Sequence, residues 1–234
     1  MARLRTMEEY YREREQEQPF DVRVRLAGIP VEHQHQTWDD YDGDADVDDE
    51  KLKSILMHYG KSWDMSDRMS LVLLGDPGVG KSMGLALLAK DLIAKGCWVR
   101  WVSFEQLMQK RIEIFQLQQE AEQQGDWGEH EKAEMKFRWI TEDCHALFLD
   151  DLGKEHRTET RFSDNQLDHI LRSRHTSGRL TFLSSNMTSE EFSMYSPSMV
   201  SFLAQMSEVC DVTDAVDKRD FIVPPKRAAR RARR

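Results

Sequence analysis

Eight consecutive residues, Gly75-Asp76-Pro77-Gly78-Val79-Gly80-Lys81-Ser82, constrain this chain more than any other stretch. They fit the pattern G-x-x-x-x-G-K-[ST] at every fixed position. Such a loop has one natural place in a fold, between a buried strand and the helix it opens. The apolar run SLVLLG (70–75) precedes it, and KSMGLALLAKDLIAK (81–95), stopped by Gly96, follows it. Gly78 and Gly80 let the backbone curl until successive N–H groups point inward, and the helix adds its positive N-terminal end. Lys81 then reaches the β- and γ-phosphates, and Ser82 supplies a hydroxyl to Mg²⁺. The ligand this predicts is ATP with Mg²⁺, held by Gly75, Asp76, Pro77, Gly78, Val79, Gly80, Lys81 and Ser82.

The pattern around the loop is that of an α/β fold. Strands are predicted over 70–75, 98–104, 145–151 and 179–186. Helices are predicted over 51–63, 81–95 and 164–175, with a Gln- and Glu-rich helical stretch over 105–143 broken near Gly125–Gly128. Strands alternating with helices imply a parallel sheet covered on both faces. Two short helices follow Asn186. Residues 1–20 read as one charged, exposed helix, and the acidic run at 39–50 reads as a solvated linker. That run has the aspartate density of a calcium loop but lacks the loop's glycine and closing glutamate in every register. The chain therefore divides into a helical N-terminal arm with an acidic linker (1–50), a nucleotide-binding domain (51–223) and a basic tail (224–234).

A phosphate loop binds nucleotide without proving hydrolysis. Mg²⁺ needs an acidic partner at the tip of a neighbouring strand, and Leu147-Phe148-Leu149-Asp150-Asp151 supplies one. The carboxyl end of a buried parallel strand faces the ligand crevice. Asp150 is placed to hold Mg²⁺ and Asp151 to polarise the attacking water; the competing reading is a helix N-cap after a core strand. The next strand ends in Ser184-Ser185-Asn186, where an amide orients water or, alternatively, simply forms a turn.

Charge limits the partners. The formal net charge is −9, although KRAARRARR (226–234) carries six basic residues and no acid. An acidic body with a basic tail does not coat DNA with its whole surface, so any nucleic-acid contact is local. The tail either makes such a contact or keeps the chain soluble. No apolar run approaches the ~20 residues that cross a membrane, and the charged start has no signal-peptide core. Cys97, Cys144 and Cys210 form neither a disulfide framework nor a zinc spacing and read as buried thiols in a reducing compartment. His33 and His35 have no third ligand in view. The expected location is the cytoplasm.

The ordered segments LVLLGDPGVGKS, VRWVSFEQLMQK, LFLDDLGKE and LTFLSSNMT resemble the AAA+ helicase loaders of the DnaC/DnaI type. They equally resemble the transposition helper ATPases of the IstB type. RLAGIPVEHQHQTWDDYD is similar to the entry to that family's core, so the resemblance covers roughly residues 24–190. It implies an AAA+ domain with sensor 1 at Asn186, catalysis by Lys81, Asp151 and Asn186, and delivery of a hexameric replicative helicase gripped by the N-terminal arm. It implies a ring or spiral assembly. It also implies single-stranded DNA contact from the helix after the second strand, here Gln109, Lys110, Arg111 and Phe115, whose alternative reading is a solvated face with a core aromatic. One departure stands out. The family carries arginines in the helix after sensor 1, whereas Ser198–Met206 here has no basic residue. Arg172, Arg174 and Arg219 are the available substitutes, and hydrolysis without partner or DNA is expected to be slow. Duplex-DNA binding as a transposition helper, or an ATP-binding adaptor with negligible turnover, are the alternatives.

Overall fold

Residues 71–74 are apolar and buried, as a strand covered on both faces requires. In the computed structural model, which describes residues 7–41, 47–61, 69–153, 162–192 and 195–212, this strand lies inside a five-stranded sheet. The strands are β1 (Ser70–Leu74), β2 (Val99–Ser103), β3 (Ala146–Leu152), β4 (Leu180–Ser185) and β5 (Ser207–Asp211). They run in the order β2-β3-β4-β1-β5, and every pair is parallel. β4 therefore lies between the strand that enters the phosphate loop and the strand that carries the two aspartates.

Alternate residues of each strand face opposite layers. Leu71, Leu73, Trp101, Phe148 and Phe182 share one apolar cluster with helix α5 (Lys81–Ala94). Val72, Leu74, Val102, Leu147, Leu149 and Leu183 share another with α6 (Phe104–Gln124) and α8 (Phe162–Thr176). Phe148 stacks on Trp101 at 5.5 Å and on Phe182 at 4.6 Å, an aromatic ladder across three strands that adds about 0.5–1.5 kcal/mol per pair beyond area burial. Gly125, at φ 75°, ends α6, and α7 (Gly128–Arg138) turns back along it.

The N-terminal segment is stitched to this core. α1 (Met7–Gln16) is followed by α2 (Phe20–Leu26) and α3 (Val31–Gln34). The single helix predicted over 1–20 ends at Gln16, because Pro19 cannot donate a helical hydrogen bond and instead caps α2. Val24, Ala27, Ile29 and Tyr41 join the α5 cluster. The Ala27 carbonyl accepts the Trp101 amide at 2.7 Å, which blunts the open edge of β2. Glu15 takes both Arg100 guanidinium nitrogens, at 2.6 and 2.9 Å, and the Trp98 indole N–H at 3.0 Å. Gly84 in α5 is where the next layer presses closest: a Cβ there would sit 2.5 Å from Leu56 Cδ1 and 3.2 Å from Tyr41 Oη.

Two further boundaries depart from the sequence pattern. α4 (Val47–Lys61) begins inside the acidic run. After β4 the chain forms α9 (Ser189–Phe192) and α10 (Pro197–Met206), the two short helices predicted, and then the unpredicted β5. β5 is an edge strand with only Ser207 and Cys210 buried, so it carries no apolar run to announce it. Arg219 and the basic tail lie outside the described residues. Among the described residues no helix is long and apolar enough to cross a membrane.

Candidate nucleotide-binding site

The loop after β1 takes backbone conformations open chiefly to glycine. Gly75, Gly78 and Gly80 have φ values of 145°, 95° and 93°. Gly80 caps α5 in the left-handed region, and Lys81 opens the helix. Val79 is buried and anchors the loop, while Asp76 and Pro77 form its exposed rim.

Lys81 is 5% exposed. Its ammonium donates to the carbonyls of Gly75 and Asp76, at 2.7 and 2.9 Å, and to Asn186 Oδ1 at 2.9 Å. The Asn186 amide also donates from Nδ2 to Asp151 Oδ1 at 3.3 Å. One amide therefore joins the loop lysine to the second aspartate. Ser82 Oγ donates to Asp150 Oδ1 at 2.9 Å. Asp150 is 8% exposed, and burial pushes its carboxyl above the usual carboxylate range. Hydrogen bonds from Ser184 and Ser82 pull it down, and the neighbouring charge of Asp151 pushes it up. A hydroxyl and a carboxylate set this close form a hard-oxygen pair suited to Mg²⁺, which takes few protein ligands and completes its shell with water and phosphate oxygens.

The predicted site residues Lys81, Ser82, Asp150, Asp151 and Asn186 are thus brought together from three segments by the parallel sheet. One contributor was not foreseen. Ser184 donates through Oγ to Asp150 Oδ1 in a short contact and accepts the Asp151 amide at 3.1 Å. The signal for it was its place, two residues before Asn186 on the strand beside the aspartates.

The predicted nucleic-acid residues do not form one free patch. Arg111 is paired with Glu134 of α7 at 2.7 Å and lies over the rings of Phe115 and Phe137, at 4.8 and 5.3 Å. Phe115 is 36% exposed and meets Phe162 edge-on at 5.7 Å. Lys110 lines a separate cavity of about 490 Å³ between α6 and α7, together with Arg100, Lys132 and Lys136. The candidate arginines are also committed. Arg174 is 1% exposed and bonds Thr181 Oγ1 at 3.0 Å and the carbonyls of Thr141, Cys144 and Leu180; it is a core strut. Arg172 chelates Asp168 at 2.9 Å, bonds Ser198 Oγ at 3.0 Å and lies over Phe202 at 4.5 Å.

A phosphate loop after β1, aspartates on β3, an amide at the end of the intervening β4 and the order β2-β3-β4-β1-β5 together define an ATP-binding P-loop domain of the AAA+ type. The chain belongs to the family of IstB-like ATP-binding proteins, whose sequence profile matches residues 4–199. No curated protein sequence matches it. Among solved structures, it is similar to the DnaC helicase loader, with a TM-score of 0.54 and 20% identity over 73% of this chain and 94% of that one. It is similar to DnaI at 0.57 and 20%, over 82% of this chain and 94% of that one. AMPPCP-bound DnaA from Aquifex aeolicus matches at 0.57 and 15%, over 82% of this chain and 53% of that one. At such identities the likeness is one of fold.

Proposed function

We propose that this chain is an ATP-dependent helicase loader, which binds a hexameric replicative DNA helicase and delivers it to single-stranded DNA during replication initiation. The observation that carries the reading is the Lys81–Asn186–Asp151 relay, which links a phosphate-binding lysine to a water-polarising carboxylate. The fold shared with the DnaC helicase loader and with DnaI supplies the class of partner.

In this reading the backbone amides of 76–82 receive the phosphates and Lys81 moves from two carbonyls onto the β- and γ-oxygens. Ser82 and Asp150 hold Mg²⁺, which supplies charge neutralisation at the phosphate oxygens when bound. Asp151 accepts the proton of the attacking water, and Asn186 fixes the orientation of both. α10 carries no basic residue, Arg174 is buried and Arg172 is tied to Asp168. An arginine at the transition state is worth about 10³–10⁵ in rate, so turnover is slow until a neighbouring subunit of a ring or spiral, the helicase or DNA completes the site. Residues 1–50 bind the helicase, 51–223 act as the ATPase in the cytoplasm, and 224–234 form a basic tail. Lys110 and Lys136, which line the α6–α7 cavity, and the part-exposed Phe115 of α6 offer a local single-strand contact.

The family match favours a second reading, a transposition helper that assembles on duplex DNA. The formal charge of −9 argues against a duplex-coating filament. The bare α10 favours an adaptor with negligible turnover.

Light scattering after gel filtration with the replicative helicase of the same source, with and without ATP, separates these readings. Residues 20–36 feed the core, so the arm is best altered at its exposed apolar side chains, Phe20, Leu26 and Val31, at 44%, 51% and 75% exposure. The loader reading expects an ATP-sensitive complex that weakens when these become serine. ATP-dependent assembly on duplex DNA with no helicase complex would replace it with the transposition helper. A helicase complex without ATP turnover under any condition would leave the adaptor.

A further inference from the structure

We propose that Ser184 is a positioning residue that aims both aspartates of β3 at the nucleotide, an inference that rests on the ATP and Mg²⁺ reading above. Along a regular strand consecutive side chains point to opposite faces. Asp150 and Asp151 are consecutive, yet one meets Ser82 at the start of α5 and the other meets Asn186 at the end of β4. The register explains how. Leu149 pairs with Leu183, and the next pair is Leu152 with Ser185. Two residues of β3 thus oppose one residue of β4, which is a β-bulge, a device that re-aims side chains beside active sites. Its extra residue, Asp151, has φ 58°, the one non-glycine residue with positive φ among those described.

Ser184 is the single residue opposite that bulge. Its hydroxyl accepts the Asp151 amide, which the bulge withdraws from the ladder, and donates to the Asp150 carboxylate. One oxygen therefore ties the backbone of the water-polarising aspartate to the side chain of the metal-holding one. Ser184 and Ser82 donate to the same carboxylate oxygen, so two hydroxyls from different segments fix the position of the Asp150 side chain. Ser185 provides an internal control. It is as buried as Ser184, at 1% exposure, and its hydroxyl bonds only backbone in the contacts seen, the Leu152 carbonyl at 2.7 Å and the Met187 amide at 3.1 Å.

The test measures affinity for a fluorescent ATP analogue in EDTA and across a Mg²⁺ titration, with steady-state turnover, for the full-length chain and its variants. Ser184→Ala is expected to keep its metal-free affinity, raise the Mg²⁺ midpoint by about 10- to 100-fold and lower kcat over a similar range, the loss expected for a hydrogen bond to a charged group. Ser184→Thr, which keeps the hydroxyl, restores both, and Ser185→Ala leaves the midpoint unchanged even where it lowers thermal stability. A wild-type midpoint in Ser184→Ala, or an equal shift in Ser185→Ala, overturns the assignment. Should Ser184→Ala fail to fold, Ser184→Cys and Ser184→Thr carry the test: a raised midpoint for the weak thiol donor and a normal one for threonine is expected, and equal midpoints overturn it. Lys81→Ala separates the two levels. If that variant binds the analogue as well as wild type, the ATP reading itself fails; if it does not bind while Ser184→Ala keeps a normal midpoint, only the role of Ser184 fails.

Discussion

The carboxyl end of the sheet and the α6–α7 hairpin are both rich in charge, and they hold it in opposite ways. At the sheet end Lys81, Asp150 and Ser184 are each less than a tenth exposed, and side-chain bonds between distant segments tie them together, Lys81 to Asn186, Ser82 to Asp150 and Ser184 to Asp150. In the hairpin the charges are part exposed and are paired within the hairpin itself, Arg111 with Glu134 and Lys132 with Glu129. Buried polar groups raise the cost of any change, because a lost partner strands the other group away from water. Part-exposed pairs are screened and contribute little. Function should therefore break sharply at the first region and yield gradually at the second.

The largest effect separating them is expected at Asp151. Asp151→Asn should lower kcat by about 10²–10⁴-fold, the usual contribution of a general base, with ATP affinity held within about 3-fold as Lys81 and the loop remain. Parallel loss of affinity would show that the carboxylate builds the pocket rather than acting on water. Next comes Arg174, at the amino ends of β3 and β4, whose guanidinium satisfies carbonyls of Thr141, Cys144 and Leu180. Arg174→Leu should cost about 3 kcal/mol in denaturant unfolding, since it leaves buried acceptors without donors. A loss under about 1 kcal/mol, the range of surface changes, would show that the core closes over the gap.

Within the hairpin, Arg111→Ala should cost only about 1 kcal/mol, from a part-exposed ion pair and two ring contacts, with no change in ATP binding. A large loss of ATP affinity there would erase the contrast. The smallest effect is at His145, where Nδ1 accepts the Trp98 amide at 3.0 Å. Burial first, then the charges of Arg12, Arg179 and Arg174, hold its pKa below the ordinary value. The unfolded chain therefore binds the proton more readily, and this contribution is complete above the usual histidine range and lost as pH falls through it. The melting temperature should drop between about pH 7.5 and 5.5, and His145→Gln should flatten that part of the profile. An unchanged slope would show that the ring leaves the amide without cost.

The two regions also differ in what their sequence discloses. The loop glycines, LFLDD and the Asn after β4 were legible because each joins fixed residue types to a strand end, and a parallel sheet gathers strand ends automatically. Ser184 was not, because its role depends on a bulge, and a register shift leaves no mark in the pattern of apolar residues. β5 was hidden because only Ser207 and Cys210 are buried, and their spacing breaks the alternation that marks a strand. Arg111 pointed to DNA through the family resemblance and its residue type, whereas its partner Glu134 lies across a helical hairpin whose packing no local spacing specifies. Arg174 stood only as a possible substitute for the missing arginine, because nothing in its own segment reveals the carbonyls of 141–145 that it bonds.

In the proposed loader, the sheet end is an ATP site worked by Lys81. Calorimetric titration of ATP with Mg²⁺ into the wild-type chain and into Lys81→Ala tests this most directly. The prediction is saturable one-to-one binding to the wild type and a loss of at least about 100-fold in affinity for Lys81→Ala, measured at a temperature where the unliganded variant is folded. Equal binding by the two would contradict the account and place the nucleotide, if one is bound, elsewhere in the molecule.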